Sequence, residues 1–350
     1  MKVGLALGAG GVMGGAWLVG ALAALAESTG WDPFSADYIV GTSAGAMIGA
    51  LVAAGVPPWF MVAHSAGEVF EGLVDSSGRP VAEAHRTAGA VFRPGGPWFP
   101  IPGSPRLAWH ALRGGMPGLR GRLAALAPAG IISTEPLKET VRRAVPQGWA
   151  EHRNLWIVAC DYASGERVVF GRPGAPRAAL ADAVAASCAI PGFYQPVRIR
   201  GRRYVDGGVT SLASLDLFED LGLDLVVCAN PLSMRSAPAG RWPHQRLLAS
   251  LRRSAARELD ASAARLRRQG TRVVIFEPSA ADLEVMGNNF MSTRRRHRVI
   301  ERALKSVTLA ARRRQAQLAG LPKGDPDRVR RPSSPPSEWK WRPGERVAAG

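Results

Sequence analysis

The sequence predicts an α/β fold, and three observations carry that prediction. Residues 3–7, Val-Gly-Leu-Ala-Leu, make an apolar run of strand length, followed at once by a glycine loop and a small-residue helix at 14–25. A second run, Tyr38-Ile39-Val40, turns through Gly41-Thr42-Ser43-Ala44-Gly45 into another small-residue helical stretch ending near Ala54. Further apolar runs at 155–160, 223–229 and 272–276 have the length of buried strands and alternate with helical segments. Strands that alternate with helices belong to sheets covered by helices. The 350 residues, 46% of them apolar, suffice for one large domain or two small ones, each with its own core.

The elements follow in order. The first twenty-six residues, uncharged after Lys2, resemble a secretory leader in hydropathy, but seven glycines interrupt them. A leader core is a continuous helical apolar block, so strand, loop and helix are the preferred reading, and the same glycines argue against a membrane span. Residues 57–73 read as a helix. From 76 to 130 the composition shifts to Pro, Gly, Trp and Arg, which marks an insertion. Its Trp98, Phe99, Ile101, Trp109 and Leu112 suit a lid or a segment dipping into a lipid interface; a linker packed on the body is the equal alternative. Thr134 and Pro136 begin a helix to Val145. Strands at 155–160 and 167–170 flank the turn Ser164-Gly165. A small-residue helix at 178–187 leads into Ile190-Pro191-Gly192-Phe193, and a hairpin at 197–205 turns at Gly201. Strands at 223–229 and 272–276 enclose a helix with Leu247, Leu248, Leu251, Ala255, Leu259 and Leu266 on one face. A basic amphipathic helix covers 292–318, and a Pro-, Ser- and Arg-rich tail at 320–350 is predicted to be disordered. The domain therefore spans 1–315, with 76–130 inserted.

Charge is the anomaly. The net charge of +17 and the pI near 11.1 attract anionic membrane surfaces, nucleic acid or acidic substrates. The basic residues are forty Arg against five Lys, a bias that coding preference also produces. Cys160, Cys188 and Cys228 are scattered in apolar runs without a C-x-x-C pair, as reduced core residues of a cytoplasmic protein are. No motif calls for a metal or another cofactor.

Three glycine-rich sites carry the chemistry. Ser43 sits where a strand turns sharply into a helix, the setting of a nucleophile elbow, and Gly41 and Gly45 spare the turn a collision with its neighbours. Gly8-Ala9-Gly10-Gly11 follows a strand and opens a helix, so its bare amides form a cradle for a phosphate or a developing oxyanion. A dinucleotide-binding loop would need glycine where Met13 stands and an acid after the second strand, so the oxyanion reading is preferred. Asp206-Gly207-Gly208 ends an apolar strand, a common catalytic placement, though a turn aspartate capping its own backbone is the plainer alternative. None of His64, His85, His110, His152, His244 and His297 carries a supporting signature for a base.

With these motifs in this order, plus Ala189-Ile190-Pro191-Gly192, the chain from Lys2 to about residue 315 resembles the patatin-like phospholipase family. The resemblance implies a three-layer α/β/α fold with a mostly parallel central sheet. It also implies a Ser-Asp pair without histidine: Ser43 as nucleophile, Asp206 as base, and the amides of Gly10 and Gly11 as oxyanion hole. Gly8, Gly41, Gly45, Gly207 and Gly208 support these motifs. Two positions depart from the pattern: Ala9 replaces a third consecutive glycine, and Met13 replaces an Arg or Lys. A carboxylate at its ordinary pKa of ~3.9 is a poor base near neutrality, so the scheme requires an apolar cleft, for which Ile190, Phe193, Val205 and Val209 are candidates. The implied activity is lipid acyl hydrolysis, by a phospholipase A, lysophospholipase or neutral lipid esterase. The expected partners are a lipid ester and an anionic membrane touched peripherally from the cytoplasmic side, with no nucleic acid. The alternatives are a catalytically idle docking module and a Ser-His-Asp hydrolase, the latter disfavoured by a nucleophile so near the N-terminus.

Overall fold

The computed structural model describes residues 1–66, 91–95, 104, 109, 113, 127–146, 148–235 and 243–329. Among them run strands β1 (Val3–Leu7), β2 (Tyr38–Thr42), β3 (Leu155–Asp161), β4 (Arg167–Phe170), β5 (Val197–Ile199), β6 (Arg202–Asp206), β7 (Leu225–Ala229) and β8 (Arg272–Phe276). They form one sheet in the order β5-β6-β3-β2-β1-β7-β8, with β4 also paired to β3. The five strands β3, β2, β1, β7 and β8 are mutually parallel, while β4 and β6 run antiparallel to β3 and β5 antiparallel to β6. The sheet is thus mixed and mostly parallel.

Alternation along the strands explains the layers. Leu5 and Leu7 of β1, Ile39 of β2, Ile157 of β3 and Val227 of β7 join one apolar cluster; Ala6, Val40, Val158, Val226 and Cys228, one residue out of step, join another. The first cluster is covered by α1 (Gly11–Thr29), α2 (Ala44–Ala53), α3 (Pro58–Ala66), α4 (Glu135–Ala144), α5 (Leu180–Ser187), α7 (Ala280–Met286) and α8 (Arg296–Arg313). The second is covered by α6 (Pro243–Arg268) and the segment around Leu215, Phe218 and Leu223. Sheet strands buried on both faces read as continuous apolar runs, which is why these runs were legible without a period-two signal.

α1 is apolar on every side, as a helix buried on every side must be. By length and composition it could cross a membrane; here 72% of its apolar window is buried inside the fold. α8 packs along it closely enough that a Cβ on Gly20 would meet the Ile300 carbonyl oxygen at 2.5 Å and the Ala303 Cβ at 2.8 Å.

Several boundaries differ from the sequence expectation. The basic helix begins at Arg296 and stops at Arg313, with a separate turn, α9 (Gln315–Leu318), after it. α7 was not anticipated; Ser279 and Asp282 close a reciprocal capping box at its start. Within the tail expected to be disordered from 320, the described residues 320–329 are structured: Lys323 bridges to Trp31, α10 (Pro326–Val329) follows, and Leu321 and Val329 are buried. Two apolar side chains in that segment find core contacts that its composition concealed. Of the helix expected at 57–73, α3 accounts for Pro58–Ala66, Pro57 precedes it, and 67–73 lie outside the described residues. Most of the 76–130 insertion, with Trp98, Phe99, Ile101 and Leu112, likewise lies outside them.

Candidate active site

Ser43 separates β2 from α2 and holds φ 54, ψ −120, a left-handed pose costly for any residue with a Cβ. Its flanking glycines are dictated by space. A Cβ on Gly41 would meet the Gly45 carbonyl oxygen at 2.5 Å and the Ala46 Cα at 2.6 Å; a Cβ on Gly45 would collide with the Leu7 carbonyl at the end of β1. The turn is thus pinched between the helix it starts and the strand beside it.

Two side chains from the end of α5 hold the turn. The Ser43 amide donates to Ser187 Oγ at 2.9 Å, and that hydroxyl donates to the Val158 carbonyl of β3 at 2.5 Å. Cys188 Sγ reaches the Ser43 carbonyl at 3.2 Å. Burial holds the Cys188 thiol well above its ordinary pKa, and the nearby Asp206 adds to this, so it is a neutral donor.

Asp206 arrives from the opposite direction. β2 runs parallel to β3 and ends with Thr42 opposite Val158; β6 runs antiparallel to β3 and ends with Asp206 opposite Ala159. Consecutive positions of one strand therefore bring the two strand ends together. Gly207 permits this, because a Cβ there would strike the Val158 carbonyl. The Asp206 amide donates to the Ala189 carbonyl at 3.0 Å, and the Gly208 amide donates to Asp206 Oδ1 at 2.7 Å. Burial drives the Asp206 pKa up to about 6, while the neighbouring Ser43 side chain and the hydrogen bond from the Gly208 amide oppose part of that rise. Ser43 and Asp206 are 4% and 5% exposed, so the pair is shielded from solvent.

The glycine loop closes the third side. Gly45 abuts Leu7 and Gly8, Gly15 lies 3.8 Å from Ala44 measured from its would-be Cβ, and Ala9 lies beside Gly208. Gly10 is extended at φ −176, while Gly11 takes φ 60. Ala9 does not take a positive φ, and its amide donates to the Leu212 carbonyl at 2.8 Å, so alanine fits there without strain. Met13 is fully buried, and its amide donates to the Phe290 carbonyl at 3.0 Å. Among the described residues, the amides of Gly10, Gly11 and Val12 have no partner, and no side chain caps α1. These are the orphan donors of a helix start, with its positive dipole end.

Histidine does not enter the site among the described residues. His152 Nε2 contacts the Ala36 carbonyl at 2.7 Å, His297 pairs with Glu301, and His64 stacks on Phe60; His85 and His110 lie outside the described residues, as does the His244 side chain. Of the apolar cleft candidates, Val205 and Val209 are buried, and Ile190 and Phe193 are half-buried. Phe193 meets Phe92 edge-on at 5.4 Å, so the described end of the insertion docks beside the Ile190-Phe193 loop. Trp109, its other described aromatic, is exposed. All three cysteines are free and buried. Ser187 and Cys188, Asn230, whose side chain a Cβ on Gly8 would meet, and Arg252, which donates to the Pro231 carbonyl behind the loop, carried no sequence signal; only the position of 187 and 188 at the end of a small-residue helix hinted at close approach.

The sequence model of a family described as patatin-like phospholipase matches residues 5–219. Among solved structures, the chain is similar to one titled "Crystal structure of VipD from Legionella pneumophila", at 16% identity and a TM-score of 0.38. That alignment covers 88% of this chain and 66% of the other, so the chain spans just under two thirds of its length.

Proposed function

The chain belongs to the patatin-like phospholipase family, whose members are lipid acyl hydrolases, and from that premise we propose that it cleaves carboxylic esters of lipids through Ser43 and Asp206. The observation that carries this reading is the meeting of the β2 and β6 ends at adjacent positions of β3, which sets Ser43 beside a buried carboxylate whose pKa burial raises to about 6. A base with that pKa is ionised at neutral pH yet retains enough proton affinity to take the hydroxyl proton in the transition state.

In the first half of the reaction, Ser43 Oγ forms a bond to the ester carbonyl carbon as its proton passes to Asp206. The carbonyl oxygen becomes an oxyanion, for which the open amides of Gly10 and Gly11 are the donors, with the start of α1 behind them. Collapse breaks the bond to the alcohol, which leaves with the Asp206 proton, and Ser43 remains acylated. In the second half, water gives a proton to Asp206 and attacks the acyl-enzyme; the fatty acid departs and Ser43 recovers its proton. The strained Ser43 backbone is tethered through Ser187, and the Ser43 hydroxyl does not cap the helix it starts. The catalytic unit runs beyond the matched 5–219, because β7 and β8 extend the sheet on the far side of β1.

A hydrolysis panel of phospholipids, lysophospholipids, acylglycerols and short p-nitrophenyl esters, with Ser43→Ala as control, tests the proposal. Release of fatty acid by the wild type but not by the variant supports it; no turnover of any ester contradicts it and leaves an idle docking module. The surplus of positive charge supports peripheral contact with an anionic membrane on its cytoplasmic side. Binding to phosphatidylglycerol vesicles that weakens with salt is the expected result, and equal binding to neutral vesicles would contradict it.

A further inference from the structure

Charged side chains are almost never buried unless an opposite charge meets them. Arg252 on α6 is only 5% exposed, and no carboxylate among the described residues pairs with it. Burial alone lowers its pKa, to about 10, which leaves it a cation at neutral pH. Its contacts are a hydrogen bond from Nη1 to the Pro231 carbonyl at 3.3 Å and a cation–π seat 5.2 Å over the Phe290 ring.

Both contacts frame the glycine loop. Pro231 packs against Gly10 and Gly14, where a Cβ on either would meet its ring at 3.0 or 3.1 Å. The Phe290 carbonyl takes the Met13 amide and would lie 2.9 Å from a Cβ on Gly11. One turn further along α6, Ala255 shares an apolar cluster with Ala9 and Leu212. The face of α6 that carries Arg252 is therefore turned to the loop whose amides are open. The loop itself brings no cation, since Met13 is wholly in the core.

We propose that Arg252 is a positioning residue for the oxyanion: it clamps Pro231 and Phe290 so that the Gly10 and Gly11 amides stay open, and its unspent charge favours the negative charge that develops there. The assignment rests on the serine hydrolase reading above and names a residue outside the family-matched segment. A fixed charge in a water-poor site acts on a developing anion without reorganising. A purely structural clamp would act through shape alone, and charge separates the two.

The experiment compares Arg252→Lys, Arg252→Gln and wild type on a neutral p-nitrophenyl ester, with rates normalised to the fraction of protein that a fluorophosphonate labels at completion. The expected result is a kcat loss of about tenfold or more for the Gln variant with KM little changed, and recovery of most of that loss by Lys. Labelling of Ser43 should slow in parallel, because the phosphorus adduct also places a negative oxygen in the loop. Equal normalised rates for Lys and Gln, or a Gln variant changed only in melting temperature or KM, would overturn the assignment alone. Wild-type protein that neither hydrolyses esters nor takes the label would overturn the serine hydrolase reading and this inference with it.

Discussion

Ser43 and Asp206 each occupy a costly state, and each cost has a measurable signature. Glycine tolerates the Ser43 backbone at φ 54, whereas alanine keeps the strain. Ser43→Gly and Ser43→Ala should both abolish turnover, with the glycine variant more stable by about 1 kcal/mol in chemical denaturation. For Asp206, the folded pKa of about 6 lies above the ordinary value of 3.8. Between those values the folded state binds more protons than the unfolded one, so wild-type stability falls as pH rises through that window and stays reduced above it. Asp206→Asn has no such slope. Its stability relative to wild type should grow between pH 4 and pH 7 by up to about 3 kcal/mol, while ester turnover drops roughly 10²- to 10⁴-fold. A gap that stays constant or narrows would mean that the carboxylate is not buried as described. The wild-type kcat/KM should rise with pH through about 6, as the base ionises. Both residues were legible in the sequence because each terminates an apolar run beside glycines. Ser187 and Arg252 were not: the first meets Ser43 across 144 residues, and the second acts through a proline and a phenylalanine that no spacing connects to it.

At the scale of elements, the ends of β2, β6, α5 and α1 do the positioning. Removing the tether from α5 with Ser187→Ala leaves the buried Ser43 amide without its acceptor, a change worth roughly 1–3 kcal/mol. Its kcat should fall with it, because Ser43 loses its fixed pose; unchanged kcat in a stable variant would show that the tether is only structural. The seam between α1 and α8 makes the opposite prediction. Gly20→Ala forces a Cβ against the Ile300 carbonyl and should destabilise the fold by about 1–3 kcal/mol, with fluorophosphonate labelling of the folded fraction unaffected. Element existence was largely readable, since strands buried on both faces and small-residue helices leave continuous apolar runs. Helix ends were less so. The arginine-rich start of α8 has no side-chain cap to mark it, and α7 is short enough that only its capping box identifies it.

At the scale of the whole molecule, pairing is what no local pattern reveals. Nothing in the apolar runs says that β1 lies between β2 and β7, or that β3 receives β2 and β6 at adjacent positions, yet this topology brings residues 43 and 206 together. The ordered segment at 320–329 was hidden for the same reason: its composition is that of a tail, and its burial depends on Trp31 and Asp32, far away in sequence. The account stands on one convergence, of a strained serine, a proton-hungry carboxylate and open amides. Mapping the covalent adduct of a fluorophosphonate by peptide mass spectrometry tests it most directly. The predicted result is a single adduct on the peptide containing Ser43, absent from Ser43→Ala and formed at least about 10²-fold more slowly by Asp206→Asn. An adduct on another residue, no adduct on the folded wild type, or undiminished labelling of the Asn variant would contradict it.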